Sequence, residues 1–166
     1  MDSAQARVNS AILSVYPGWL SDKAEDRIGK GRPVWSIDKE HRIARYYDSK
    51  GKQQLVSPVG IGLVQGDKSM AGDNRTPTGT YTLSAPERGA GKTGGEMSFG
   101  PYFYRTNHKN NGSNSLSGVG LHGTGLPIFN GSNISHGCMR VDNSTIKQFY
   151  KKAPNRGAGT RIIISD

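Results

Sequence analysis

Hydrophobic and polar positions change their period once along this chain. Val8, Ile12, Val15 and Tyr16 recur at helical spacing until Pro17-Gly18, which predicts a short amphipathic helix over 3–16. Residues 21–32 are polar and charged and read as a second helical turn or a linker. From Pro33 the period shortens to that of strands. Val34 to Ile37, Arg42 to Tyr47 and Gln54 to Leu63 form an expected β-meander, with turns at 38–41 and 49–52. The turn-rich block Gly72-Asp73-Asn74-Arg75-Thr76-Pro77-Thr78-Gly79 leads into a strand at Thr80 to Leu83. Residues 84–117, rich in Gly, Asn and Ser, read as a long loop with one strand near 101–106; loops of this length often lie over a site. Gly118 to His122 is a further short strand. Asp142 or Asn143 is expected to cap a helix carrying Ile146, Phe149 and Tyr150, with Lys147, Lys151 and Lys152 toward its C-terminal end, where positive charge suits the helix dipole. Pro154 stops it, and Thr160 to Ile164 is the last strand. The pattern predicts a helical extension over 1–32 and one mainly β domain over 33–166.

Composition agrees with one domain. The chain has 166 residues, 33% of them hydrophobic, and 23 glycines, a bias toward short strands and many turns rather than a helical bundle or coiled coil. No apolar run approaches the roughly 20 residues that span a bilayer, so no membrane span is expected. The net charge is +9, and residues 51–166 hold 13 basic side chains against 6 acidic ones, a balance that favours anionic partners such as nucleic acid, acidic lipid or a cell-wall polymer. Met1-Asp2-Ser3-Ala4-Gln5 has neither a basic n-region nor an apolar h-region, so no secretory signal is read there. The chain then works inside the cell, is a mature or excised form, or is exported by another machine.

Three suggestive patterns fail on context. Gly91-Lys92-Thr93 ends like a phosphate-binding loop, but Pro86 stands where the earlier glycine is needed. Gly118-x-Gly120-x-x-Gly123 matches a dinucleotide fingerprint yet runs into Thr124-Gly125-Leu126-Pro127 instead of a helix. His122, His136 and Cys138 could cluster on zinc, but His136 and Cys138 are one residue apart, an awkward spacing for one metal. Neither metal nor cofactor is expected.

Cys138 is the one cysteine, so no disulfide forms within a chain, and such a residue is ordinarily an inert small hydrophobe. Its surroundings, Ser135-His136-Gly137-Cys138-Met139-Arg140, suggest otherwise. A thiol attacks a carbonyl as thiolate, and a neighbouring imidazole can take its proton. Gly137 lets a substrate approach the backbone, where the N–H groups of 137 and 138 could bind an oxyanion. His136 lies two residues from Cys138 on the same side of an extended segment and flanks the site. His122, carried opposite by the 123–135 loop, is the favoured base.

Residues His122-Gly123, then Ser135-His136-Gly137-Cys138-Met139-Arg140 followed by Val141-Asp142-Asn143, resemble the signature of the L,D-transpeptidase (YkuD) catalytic-domain family, and the Gly72–Tyr81 block is similar to a second family feature. The resemblance spans about residues 33–166. It implies a single β-sandwich or barrel domain with one helix after the cysteine loop. It further implies Cys138 as nucleophile, His122 as general base and the Gly123 carbonyl as the group orienting the imidazole. Gly137 and Cys138 would give oxyanion donors, while His136 and Arg140, within a segment opened by Ser135, would contact the stem peptide or its carboxylate. Thr76-Pro77-Thr78-Gly79 reads as turn chemistry.

The implied partner is the stem peptide of peptidoglycan. The cysteine attacks the carbonyl of the third stem residue, expels the terminal D-amino acid, and passes the acyl group to an amine (cross-linking or exchange) or to water (carboxypeptidase). The implied place of action is the periplasm or cell wall, reached either as a truncated form or as an antibacterial effector with a secretion apparatus and an immunity protein as partners. A monomer is expected. The non-enzymatic alternative is a nucleic-acid-binding β domain that stacks bases on Tyr102, Phe103 and Tyr104 beside Arg105 and Lys109; the site residues favour the enzyme, with no nucleic acid as partner.

Overall fold

The computed structural model describes residues 3–15, 28, 30–88, 99–125, 129, 131 and 135–166. Its elements are α1 (Ser3–Val15), β1 (Val34–Asp38), β2 (Ile43–Tyr47), β3 (Gln53–Pro58), β4 (Gly79–Thr82), β5 (Glu87–Arg88), β6 (Tyr102–Arg105), β7 (Gly120–His122), β8 (Met139–Arg140), α2 (Asn143–Lys152), a 3₁₀ turn (Pro154–Gly157) and β9 (Arg161–Ser165). The strands form two sheets, ordered β3-β2-β1-β9-β4 and β5-β6-β7-β8.

The expected meander is present as β3-β2-β1, both pairs antiparallel. What local pattern does not reveal is that β9 then pairs parallel to β1, so that the end of the chain lies at the middle of the sheet. Alternation along these strands sorts their side chains. Trp35, Ile37, Ala44, Tyr46, Leu55, Ile162 and Ile164 face the main core, whereas Val34, Tyr47 and Ile163 gather on the opposite face with Ile28.

The third strand is shorter than its sequence suggests, ending at Pro58 instead of Leu63. Proline has no N–H for a ladder. Beyond it the chain crosses to the second sheet, where Gly60 bridges Arg140 and Gly62 bridges Ser135. Of the long loop expected over 84–117, the described part contains β5 and β6, and residues 89–98 lie outside the described residues. So does most of the segment 21–32.

Helix α2 joins the two sheets. Asp142, not Asn143, is its cap, accepting the Thr145 N–H at 2.8 Å, and Lys151 and Lys152 occupy its last turn. Its Phe149 ring meets Trp35 and Tyr46 of the first sheet at 5.2 and 5.0 Å and Tyr104 of the second at 5.0 Å, all tilted or edge-on. Tyr104 also donates its hydroxyl to the Arg156 carbonyl at 2.6 Å.

Helix α1 has the expected extent, and its contact positions 5 and 9 fall in the stripe of Val8 and Ile12 yet carry amides. Among its described side chains only Gln5 and Asn9 are buried; Val8 is half-buried. No helix among the described residues is long and apolar enough to cross a membrane.

Phe149→Ala removes the ring shared by both sheets, and we expect it to cost about 3–5 kcal/mol. Lys147→Ala, on the exposed face of α2, should stay within about 0.5 kcal/mol of the wild type. Urea unfolding of the two variants checks both.

Candidate active site

The parallel pair β7–β8 sets Leu121 opposite Met139 and His122 opposite Arg140. Leu121 and Met139 are buried in the main core, together with Val119 and Val141. By alternation Gly120 and His122 therefore face the other way, as do Cys138 and Arg140. Cys138 lies one position before β8, level with Gly120, so the thiol and the imidazole share one face and are offset by two residues. Its thiol hydrogen-bonds the Gly120 backbone and lies 3.8 Å from the Gly118 carbonyl.

Two aromatic rings enclose His122. Phe103, its cross-strand partner, stacks on the imidazole with centroids 5.4 Å apart and an interplanar angle of 18°, and Phe99 meets it edge-on at 4.8 Å. The imidazole Nδ1 lies 2.6 Å from the Gly123 carbonyl. A carbonyl only accepts, so Nδ1 carries the hydrogen and the Nε2 lone pair is left to act as a base. Asn143 fixes this arrangement from α2: its side-chain amide accepts the Thr124 N–H at 2.8 Å and donates to the Thr124 carbonyl at 2.7 Å.

Burial acts on both reactive groups. It pulls the His122 pKa from 6.5 to about 4, opposed by the Gly123 hydrogen bond and assisted by the Arg140 charge. It pushes the Cys138 thiol up, opposed by the Gly120 hydrogen bond and by the positive charges of Arg140, Arg105 and Lys68. The resting pair is neutral thiol and neutral imidazole.

The turn before Cys138 is held from two sides. Ser135 is buried, and its hydroxyl accepts the Gly137 N–H at 3.1 Å while donating to the Cys138 carbonyl at 2.6 Å. The Gly137 N–H, expected as an oxyanion donor, is thus already committed within the turn, because the residue three positions before the cysteine is a serine. Thr76 donates its hydroxyl to the Gly137 carbonyl and accepts the Gly62 N–H, each at 2.9 Å. Gly137 has φ +134, and a Cβ there would sit 2.8 Å from the Arg75 carbonyl. Asp73 organises the 69–75 loop. Although burial pushes its pKa up, Lys68 and the N–H groups of Ser69, Met70 and Arg75 hold it well below the usual carboxylate range.

A cavity of about 160 Å³ opens beside Cys138, lined by Glu87, Arg88, Phe99, Phe103, Arg105 and Gly118. Arg105 Nε meets Glu87 Oε2 at 2.7 Å, and its guanidinium lies over the Phe103 ring at 5.3 Å. His136 is exposed, whereas Arg140 is only 2% exposed, and its backbone N–H and carbonyl each bond Gly60 at 2.8 Å. Sequence reasoning missed Phe99 and Phe103 as walls of the imidazole, Asn143 as a clamp and Thr76 as a bridge to the turn. From sequence Asn143 carries the signal of a helix cap and of the segment after the cysteine, neither of which reveals a clamp. The aromatics invoked for base stacking are engaged inside the protein: Tyr104 is in the core, Phe103 lies on His122, and Tyr102 stacks on Tyr150 at 4.1 Å.

The family model of the L,D-transpeptidase catalytic domain, YkuD, matches residues 33–164. Among solved structures, the chain is similar to the helical cell shape determining protein Pgp2 from Campylobacter jejuni (TM-score 0.62, 20% identity, 81% of this chain and 48% of that one). It is also similar to Bdellovibrio bacteriovorus Bd1075 (0.56, 27%, 89% and 51%). A third is the L,D-transpeptidase of Xylanimonas cellulosilytica (0.57, 19%, 81% and 61%). The chain thus spans roughly half the length of the solved chains it matches. The comparison with curated proteins gave no match.

The unfolded chain protonates this imidazole below pH 6.5, whereas the folded chain resists until about pH 4. Stability from this group is therefore full above pH 6.5 and is lost as pH falls toward 4, by as much as about 3 kcal/mol. Urea unfolding over that window should show the slope in the wild type and a flatter profile in His122→Gln. Alkylation of Cys138 by iodoacetamide should climb through alkaline pH, with no thiolate plateau near neutrality.

Proposed function

The chain belongs to the L,D-transpeptidase catalytic-domain family, and from that premise we propose that it is a peptidoglycan-acting cysteine acyltransferase whose nucleophile is Cys138 and whose general base is His122. The observation that carries the reading is the placement of both side chains on one face of the β7–β8 pair, with the Nδ1 hydrogen of His122 held by Gly123.

The acyl donor is a stem peptide whose third-residue carbonyl enters the cavity beside Cys138. His122 Nε2 takes the thiol proton as the sulfur attacks, and the carbon–sulfur bond forms as the carbonyl becomes an oxyanion. The Cys138 N–H is the oxyanion donor; Gly137 can share its own only by weakening its bond to Ser135. When the tetrahedral intermediate collapses, the imidazolium returns the proton to the departing amine, and the terminal D-amino acid leaves. A thioester remains. A second amine completes a cross-link or an exchange, and water completes a carboxypeptidase cycle. Two neutral groups suit this sequence, since charge separation is deferred until the substrate displaces water and supplies the carbonyl.

Carboxylate recognition is better assigned to Arg105 than to Arg140. Arg105 lines the cavity, about half exposed, with its planar fork supported by the Phe103 ring, whereas Arg140 is buried. Arg88 adds a second positive charge on the same rim, and Glu87 offsets one of the two.

A carbapenem should acylate the wild-type protein once, at Cys138. The adduct should vanish in Cys138→Ala and form at least about tenfold more slowly in His122→Ala. Intact-protein mass spectrometry checks this; absence of an adduct on a thiol shown to be reduced sinks the reading. Incubation with disaccharide tetrapeptide then separates dimer or exchanged product from tripeptide. Arg105→Gln should raise KM for a tetrapeptide with a free terminal carboxylate by about tenfold, and leave that for its carboxamide unchanged.

A further inference from the structure

Helix α1 lies outside the residues matched by the family domain, which begins at residue 33. Its attachment is chemically unusual. An amphipathic surface helix ordinarily docks by an apolar stripe. Here the two buried described side chains are amides, Gln5 at 3% and Asn9 at 4% exposure, while a cleft of about 200 Å³ remains between the helix and β3. Burying two amides is costly unless their hydrogen bonds are made, so what they bond to decides what the helix is for.

Gln5 bonds the main chain of one residue twice over. Its Nε2 donates to the Phe129 carbonyl at 2.8 Å, and its Oε1 accepts the Phe129 N–H at 2.9 Å, the pairing a neighbouring strand would make. Phe129 lies midway along the segment that joins His122 to Cys138, and its own side chain is fully buried. Asn9 continues the line. It accepts from Gln5 at 3.1 Å and donates to the Val56 carbonyl at 3.2 Å and to Asp142 Oδ2 at 3.1 Å. Asp142 caps α2, whose next residue, Asn143, clamps Thr124 beside the imidazole. The two amides thus reach the catalytic segment at its middle and, through the α2 cap, near its start.

We propose that Gln5 and Asn9 are positioning residues for the active site, and that α1 serves as a built-in brace for the segment between base and nucleophile. The proposal deepens the acyltransferase reading and rests on it for the choice of a carbapenem as probe.

The test uses the full chain with Gln5→Leu, Asn9→Leu and Gln5→Glu, the last keeping an acceptor for the Phe129 N–H. All are measured at a temperature where circular dichroism shows each to be folded. In Gln5→Leu, amide hydrogen exchange should rise within 124–135 and stay unchanged in β1, β2 and β9. Carbapenem acylation of Cys138 should slow by about tenfold, with the limiting acylation rate affected more than the half-saturating carbapenem concentration. Gln5→Glu keeps an acceptor for the Phe129 N–H but sets an oxygen against the Phe129 carbonyl and Asn9 Oδ1, so its rate should also stay below the wild type. Wild-type acylation by Gln5→Leu despite faster exchange in 124–135 overturns the proposal and leaves α1 a structural appendage. If Gln5→Leu does not fold, Asn9→Leu and Gln5→Glu carry the same comparison. A wild-type protein that the carbapenem fails to acylate defeats the acyltransferase reading alone; the rate of Cys138 alkylation by iodoacetamide then decides the positioning role, an unchanged rate in Gln5→Leu overturning it.

Discussion

One register, Leu121 against Met139, fixes both a layer of the main core and the alignment of the proposed base and nucleophile. Alternation converts that pairing into two layers. The inward residues Val119, Leu121, Met139 and Val141 join the main core, and the outward ones place His122 and Cys138 on one face, offset by two residues. A slip of one residue in β8 would put a cysteine and an arginine into the hydrophobic layer and Met139 beside the imidazole. The core therefore enforces the alignment of the proposed base and nucleophile without any contact between them having to stabilise it. The isolated bridges from Gly60 and Gly62 reinforce the register from the far side of β8.

The same burial sets a conflict that the polar contacts around the site resolve. A buried imidazole resists protonation and a half-buried thiol resists ionisation, so desolvation alone would leave an inert pair. The protein answers with oriented dipoles and distant charges in place of a carboxylate. The Gly123 carbonyl fixes the tautomer and favours the imidazolium, while Arg140, Arg105 and Lys68 favour the thiolate. A carbonyl orients as well as a carboxylate does but carries no full charge to desolvate. That choice adds no charge to the imidazole and thiol, beside a cavity whose lining includes Phe99 and Phe103.

Local pattern made much of this legible. Period-two alternation marked β1 and β2, the clustered Ile146 and Phe149 marked α2, and the His-Gly and Ser-His-Gly-Cys segments marked the nucleophile and its surroundings. What stayed hidden depends on partners distant in sequence. The parallel pairing of β9 with β1 leaves no local trace, and the end of β3 at Pro58 is set by where the chain must cross to meet β8. Thr76 looked like turn chemistry because its partner, Gly137, is 61 positions away. Gln5 and Asn9 continue the apolar stripe of Val8, Ile12 and Tyr16 by helical spacing, and a period of hydrophobicity does not register stripe positions that are filled by amides.

Glycine content illustrates how the same composition can mean two things. Taken alone, 23 glycines suggest flexible turns. Around the site they mark close contact. A Cβ on Gly123 would sit 2.2 Å from the Asn143 side chain, and one on Gly120 would sit 2.5 Å from the Tyr104 carbonyl and 2.7 Å from the Phe103 ring. At both positions the missing side chain lets another group occupy its volume: an amide that holds the carbonyl on the imidazole, and a ring that covers the strand carrying it. Where the backbone is bare, neighbouring groups reach the main chain directly. Stability has to be supplied elsewhere, by the Trp35, Tyr46, Tyr104 and Phe149 cluster between the sheets. The division of labour follows: large rings hold the layers together, and small or absent side chains let polar groups set the geometry of the reaction.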